Sequence, residues 1–173
     1  MRIIAGYLKG RKLAHIKSNI LRPTKAIVRK SVMDSIRDFD GKIVLDLFSG
    51  VGTLGIEAMS RGAQEVVFVE KNYKVINILK QNIEKCGLLD SSTIIKSDVM
   101  PFLENDQRMY DIVFADPPYR SYRFEEIFSK ASCLINKNGI FCYESNKQNI
   151  DTQEIFRIKH YGNTQIILWE NRR

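Results

Sequence analysis

The chain has 173 residues, 44% of them hydrophobic and 27% charged, with a formal net charge of +7. That length and balance suit one ordinary globular domain with a full core, and they exclude a disordered or low-complexity chain. No run approaches the ~20 apolar residues that cross a bilayer, and Met1-Arg-Ile-Ile-Ala has no apolar signal region, so a cytoplasmic protein is expected.

The charge is unevenly placed. Residues 1–33 hold nine bases and no acid, whereas the remaining 18 bases face 20 acids. A cluster this one-sided suits a polyanion, because lysine and arginine contacts to phosphate supply much of nucleic-acid affinity through counterion release. The alternative is a solvated basic face. The candidate contacts are Arg2, Lys9, Arg11, Lys12, Arg22 and Arg29. Residues 2–13 read as two short strands around a turn near Lys9-Gly10, a small basic β-hairpin with its cations outward. Tyr7 there either stacks on an unpaired base or packs on the hairpin. After a linker to residue 23, Thr24 caps a helix to about residue 40. Val28, Val32, Ile36 and Phe39 form its buried face, with Lys25, Arg29 and Lys30 on the others.

From Ile43 strands and helices alternate: strand 43–47, helix 53–61, strand 65–70, helix 72–86, strand 93–98, a short helix with Phe102 and Leu103, strand 111–115, helix 121–134. Asn72 starts the second of these helices and Gly87 stops it. An Asn138-Gly139 turn leads into strand 140–144, and a hairpin of residues 154–161 and 164–170 closes the chain with no helix between its strands. The prediction is a seven-stranded doubly wound α/β sheet with an antiparallel C-terminal hairpin, the layout of a Rossmann-like class I methyltransferase core over residues 41–173. Cys86, Cys133 and Cys142 are odd in number and widely spaced, which reads as buried reduced thiols with no metal set.

Val44-Leu-Asp-Leu-Phe-Ser-Gly-Val-Gly-Thr-Leu-Gly55 is an apolar strand running into a glycine-rich turn and a helix, the form of a nucleotide-type cofactor loop. Glu70 ends the next strand 20 residues after Gly50, where a carboxylate can accept both hydroxyls of a ribose. Asp46 at the first strand's end would repel a pyrophosphate but attract a cationic amine and sulfonium. The expected cofactor is therefore S-adenosylmethionine, with Phe48, Ser49, Gly50 and Gly52 near its methionine part and Asp98 and Val99 at its adenine. Asp46, Glu70, Asp98 and Asp116 all end strands and should converge on one crevice. Asp116-Pro-Pro-Tyr119 suits a conjugated amine: the Asp116 carboxylate and Pro117 carbonyl accept its hydrogens, and Tyr119 offers a ring face to a flipped base. His15, His160 and Trp169 read as structural or exposed.

These residues resemble a known family, the bacterial small-subunit rRNA guanine-N2 methyltransferases that modify guanine 966 of 16S rRNA. The resemblance runs through Arg2-Ile-Ile-Ala-Gly6, Gly10-Arg-Lys-Leu13, Arg22-Pro-Thr24, Val28-Arg29, Asp46 to Ala63, Val69-Glu-Lys71, Asp116-Pro-Pro-Tyr119 and Tyr161-Gly-Asn-Thr164. It implies action on 16S rRNA, within a small-subunit assembly, and brings Lys71 to the cofactor site beside Glu70; a single domain of 20.0 kDa is expected to be a monomer. The chain departs from the family's pattern at Lys30, where an acid is usual, and at Val51, where a small residue is usual. Asp-Pro-Pro-Tyr alone does not choose the substrate. Adenine N6 methylation, protein glutamine methylation and a non-catalytic RNA-binding assembly factor are the other readings. A nicotinamide oxidoreductase would need a hydride-transfer partner that the sequence does not supply.

Overall fold

The structure, a computed structural model, describes residues 1–15, 26–36, 38–118, 122–148 and 157–173. Seven strands form one sheet in the order β3-β2-β1-β4-β5-β7-β6: β1 Ile43–Leu47, β2 Glu65–Glu70, β3 Ser92–Lys96, β4 Tyr110–Ala115, β5 Ile135–Asn146, β6 Arg157–Tyr161 and β7 Thr164–Glu170. The first five pair in parallel, and β7 runs antiparallel to both β5 and β6. The central strands are buried on both faces, which explains their continuous apolar runs, Val66 to Val69 and Ile112 to Ala115.

Each face of the sheet has its own core. On one, α1 (Ala26–Ile36), α2 (Thr53–Ser60) and α3 (Tyr73–Cys86) bring Val32, Met33, Ile56, Leu79 and Ile83 against Val44, Val66, Phe68 and Phe114. On the other, α4 (Val99–Asn105) and α5 (Phe124–Ala131) cover Leu45, Val67, Val113 and Phe141. α3 is bounded as its sequence predicts: Asn72 accepts from Lys74 N, and Gly87 takes the left-handed C-cap at φ +69°. Trp169 packs edge-on against Phe128, with ring centroids 5.1 Å apart.

Four expectations are corrected. The N-terminal segment folds back as a hairpin-like arm, but its two sides meet in a single antiparallel bridge, Arg2 to Lys12, and not in two regular strands. Ile3 N donates to Arg11 O and Leu13 N to Met1 O across the segment, while the amides of Ile4, Ala5, Tyr7 and Leu8 turn to α2. Glu57 accepts from Ile4 N at 2.8 Å and Ala5 N at 2.9 Å, while Ser60 accepts from Leu8 N through Oγ and from Tyr7 N through its carbonyl. In α1, Arg29 lies on the buried stripe with Met33 and Ile36, and only 2% of it is exposed. Spacing of 29, 33 and 36 matches one helical face as well as the predicted 28, 32 and 36 does. The Asn138-Gly139 turn is absorbed into β5, a single strand from Ile135 that shifts register against β4 between Tyr110 and Ile112. Finally, Cys133 is exposed, whereas Cys86 and Cys142 are buried. The expected Thr24 cap and the candidate residues Arg22 and Tyr119 lie outside the described residues.

Candidate active site

The sheet reverses its order between β1 and β4, and a parallel sheet opens a crevice past the carboxyl ends of its strands at that point. Leu47 pairs with Val69 on one side and Ala115 on the other, and Ala115 pairs with Tyr143. The next row outward therefore holds Phe48, Glu70, Asp116 and Glu144, a rim of three carboxylates and one aromatic ring.

The loop after β1 is built for close approach. Phe48 adopts φ +58°, a left-handed backbone that costs a side-chain-bearing residue of order 1–3 kcal/mol, and Gly50 follows at φ +55°. Gly52 and Gly55 serve packing more than a ligand: a Cβ on Gly52 would fall 2.4 Å from Leu79 Cδ1, and one on Gly55 2.3 Å from Phe68 Cε1. Asp46, 2% exposed, accepts from Gly55 N at 2.9 Å and so braces the loop from below. Burial pushes its carboxyl up to about 7, against the pull of the Gly55 amide, and the charges of Asp116 and Glu70 add to the rise. The strand register sets these three acids around the same end of β1, and they repel one another there.

Glu70 accepts from Gly50 N at 3.1 Å and Asn72 N at 2.8 Å, tying the loop to the tip of β2. Asp98 is not a strand end as predicted: β3 stops at Lys96, and Asp98 caps α4 by accepting from Met100 N. Its carboxylate also meets Lys71 Nζ at 3.1 Å and the Tyr122 hydroxyl at 2.8 Å. Burial would raise that carboxyl, but the hydrogen bonds from Tyr122 and Lys71 outweigh it and hold it below the usual carboxylate range. Val99 follows it, buried at the start of α4. Asp116 is half-buried and Pro117 buried at the end of β4.

Two rim residues escaped the sequence reading. Tyr122 reaches from the segment after β4 to Asp98 and sets its ring 4.9 Å from Phe48. Nothing in its spacing marks it; only an aromatic residue three positions past Tyr119 could have drawn notice. Glu144 is buried near the end of β5, and an acid closing the apolar run Ile140 to Tyr143 is the signal that could have found it.

Of the predicted RNA contacts, Arg2, Lys9, Arg11 and Lys12 are exposed on the arm, and so is Tyr7, at 69%. That exposure removes the packing alternative for Tyr7. Arg29 is the exception. Its Nη2 donates to Arg2 O at 2.9 Å, and burial lowers its pKa, with Glu57 opposing. It is a core cation beneath the arm and cannot reach a phosphate from there. Of the two departures from the family's pattern, Lys30 pairs with Asp34 at 2.6 Å, and Val51 is buried in the loop.

The sequence model of the family described as Conserved hypothetical protein 95 matches residues 1–170. The chain belongs to this family. Among its relatives is the ribosomal RNA small subunit methyltransferase D of Haemophilus influenzae, 37% identical over 134 residues that cover 75% of this chain and 69% of the relative. The Escherichia coli protein yhhF has the same fold, with a TM-score of 0.88 and 27% identity over 99% of this chain and 97% of that one. A more distant neighbour, precorrin-6y C5,15-methyltransferase of Geobacter metallireducens, superposes with a TM-score of 0.71 at 18% identity, covering 91% of this chain and 92% of its own. This chain thus has the seven-stranded Rossmann-like methyltransferase sheet that the alternation of elements predicts.

The crevice fits S-adenosylmethionine on its own chemistry. Ser49 Oγ is buried in the loop with no hydrogen-bond partner, an opening for a polar ligand group. Asp46 and Glu70, on adjacent strand tips, supply the negative field that a sulfonium and an ammonium require. Among the described residues no group of His, Cys, Asp and Glu is arranged to hold a metal ion, and no helix is long and apolar enough to cross a membrane.

Proposed function

We propose that this protein is an S-adenosylmethionine-dependent methyltransferase that modifies the exocyclic N2 amine of a guanine in small-subunit ribosomal RNA, guanine 966 of 16S rRNA being the site the family resemblance names. The observation that carries the reading is that Asp116 and Pro117 lie on the rim beside the glycine loop, one strand from Asp46 and two from Glu70. The relative named as a small-subunit rRNA methyltransferase supports the substrate class.

When bound, S-adenosylmethionine supplies a methyl group on a positively charged sulfur. Ser49 and the loop backbone would hold its amino-acid end, Glu70 its ribose, and Asp98 and Val99 its adenine, with Lys71 orienting Asp98. The guanine amine is a poor nucleophile because its lone pair is delocalised into the ring. Asp116 and the Pro117 carbonyl accept its two N–H groups, which localises the lone pair toward the donor. Pro117 and Pro118 fix that acceptor pair, so little ordering entropy is lost on binding. Tyr119 provides the stacking face. Asp116 would take the amine's proton as the methyl group is accepted and pass it to water. The arm cations Arg2, Lys9, Arg11 and Lys12 would hold the RNA backbone, with Arg22 continuing the basic segment. The reading places the protein in the cytoplasm as a monomer working on a small-subunit assembly.

The test is incubation of the protein with methyl-labelled cofactor and small subunits lacking the modification, followed by mapping of the labelled nucleotide. Label on one guanine N2 is expected. Label on an adenine would move the assignment to N6 chemistry, and no label on any nucleotide would refute the proposal.

A further inference from the structure

Asn82 is fully buried in α3, on the stripe of Val75, Leu79, Ile83 and Cys86 that faces the sheet. A polar amide at such a position must be hydrogen-bonded or it destabilises the fold. Its three bonds do not stay within the helix. Oδ1 accepts from Ala14 N at 2.8 Å, while Nδ2 donates to Ala14 O at 3.1 Å and to Val51 O at 3.0 Å. Ala14 stands where the basic arm ends, and Val51 lies between Gly50 and Gly52 of the cofactor loop. One side chain therefore clasps both backbone groups of the arm's last turn and a carbonyl of the glycine loop.

The chemistry asks for asparagine. The site needs one acceptor and two donors within a single short planar group. Aspartate has no N–H to give Ala14 O or Val51 O, and leucine of similar size satisfies none of the three. The rest of the arm is pinned to α2, whose N-cap is Gly52 of the same loop, through Glu57 and Ser60. The loop and the arm thus meet through α2 at one end and through Asn82 at the other. A shift of the Val51 carbonyl on filling the crevice has a direct path to Ala14, and from there to Arg11 and Lys12.

We propose that Asn82 is a positioning residue that couples occupancy of the glycine loop to placement of the basic arm, so that S-adenosylmethionine and RNA bind cooperatively. The inference rests on the methyltransferase reading given above. Linkage makes the coupling reciprocal: whatever factor the cofactor adds to RNA affinity, RNA adds to cofactor affinity.

The test measures binding of 16S rRNA to the full-length protein with and without saturating S-adenosylhomocysteine, for the wild type, Asn82→Leu and Asn82→Asp. The wild type is expected to bind RNA about fivefold or more tightly with the cofactor product present, and both variants should bring that factor to within about twofold of one. Melting temperatures are recorded alongside. A variant that melts lower yet keeps the wild-type factor has lost only a structural bond, and that result overturns the proposal. Should neither variant fold, hydrogen exchange of the wild-type Ala14 amide decides: it is expected to slow when S-adenosylhomocysteine is added, and an unchanged rate overturns the coupling. Wild-type methyl transfer to the same RNA separates the two failures. Transfer with a coupling factor of one sinks the role of Asn82 alone; no transfer and no cofactor binding sink the functional reading and the coupling with it.

Discussion

The buried carboxyl of Asp46 gives the sharpest quantitative expectation. In the native state it holds its proton to about pH 7, whereas an unfolded aspartate releases it near 3.8. Between those values the native state binds more protons, so this group's contribution to stability falls as pH rises through the window. Above pH 7 the accumulated loss is ~4 kcal/mol, at 1.36 kcal/mol for each tenfold change in proton affinity. Asp46→Asn removes the titration and keeps an oxygen to accept from Gly55 N. The new amide, buried without a partner of its own, costs ~1–3 kcal/mol, which leaves a net gain of ~1–3 kcal/mol at pH 8 and a melting temperature higher by several degrees. Near pH 4 the gain disappears and the variant is the less stable of the two. Cofactor binding moves the other way. Affinity of the wild type for S-adenosylmethionine should rise through pH 7 as the carboxylate forms, and that of the variant should be weak and flat. Thermal unfolding and calorimetric titration at pH 5, 6.5 and 8 would read both. Parallel stability profiles for the two proteins, or a variant less stable at pH 8, would refute the reasoning.

Glu70→Ala removes a charged acceptor from the ribose position and frees the Gly50 amide, so calorimetry should show cofactor affinity lower by about 1.5–3 kcal/mol; unchanged affinity would remove Glu70 from the site. Neutralising Arg2, Arg11 and Lys12 together should flatten the salt dependence of RNA binding by a slope of about 2–3, whereas Arg29→Ala, which empties a buried position, should lower the melting temperature and leave that slope alone. Equal slopes for the triple variant and the wild type would mean that the arm is not the contact surface. Gly55→Ala drives a methyl group into Phe68 at 2.3 Å, and urea unfolding should show a loss of about 1–3 kcal/mol from overpacking.

The sheet was legible because its signals are local. Val66 to Val69 is a continuous apolar run, Asn72 and Gly87 bracket α3, and the glycines after Asp46 can only be a tight strand-to-helix turn. Glu70 and Asp116 followed from the rule that parallel strands present their carboxyl ends together, whereas Glu144 did not and Asp98 turned out to cap α4. What stayed hidden depends on partners distant in sequence. The arm read as two strands around the Lys9-Gly10 turn, yet the amides of Ile4, Ala5 and Leu8 are taken by Glu57 and Ser60, more than 50 positions away. Arg29 looked exposed because arginine usually is; its neighbours Met33 and Ile36 decide otherwise. Tyr122 became a site residue only through Asp98, 24 positions earlier in the chain. Asn82 could have been noticed as the polar member of a buried helical stripe, but not what it holds.

The central claim is that the Asp116–Pro117 corner activates an amine without holding the cofactor, and Asp116→Ala measured in parallel for turnover and for S-adenosylhomocysteine affinity tests it most directly. The account predicts methyl transfer to small subunits lower by about 10²- to 10³-fold, the scale of removing one preorganised polar group from a transition state, with the dissociation constant within about threefold of the wild type. Transfer that persists near the wild-type rate would contradict it.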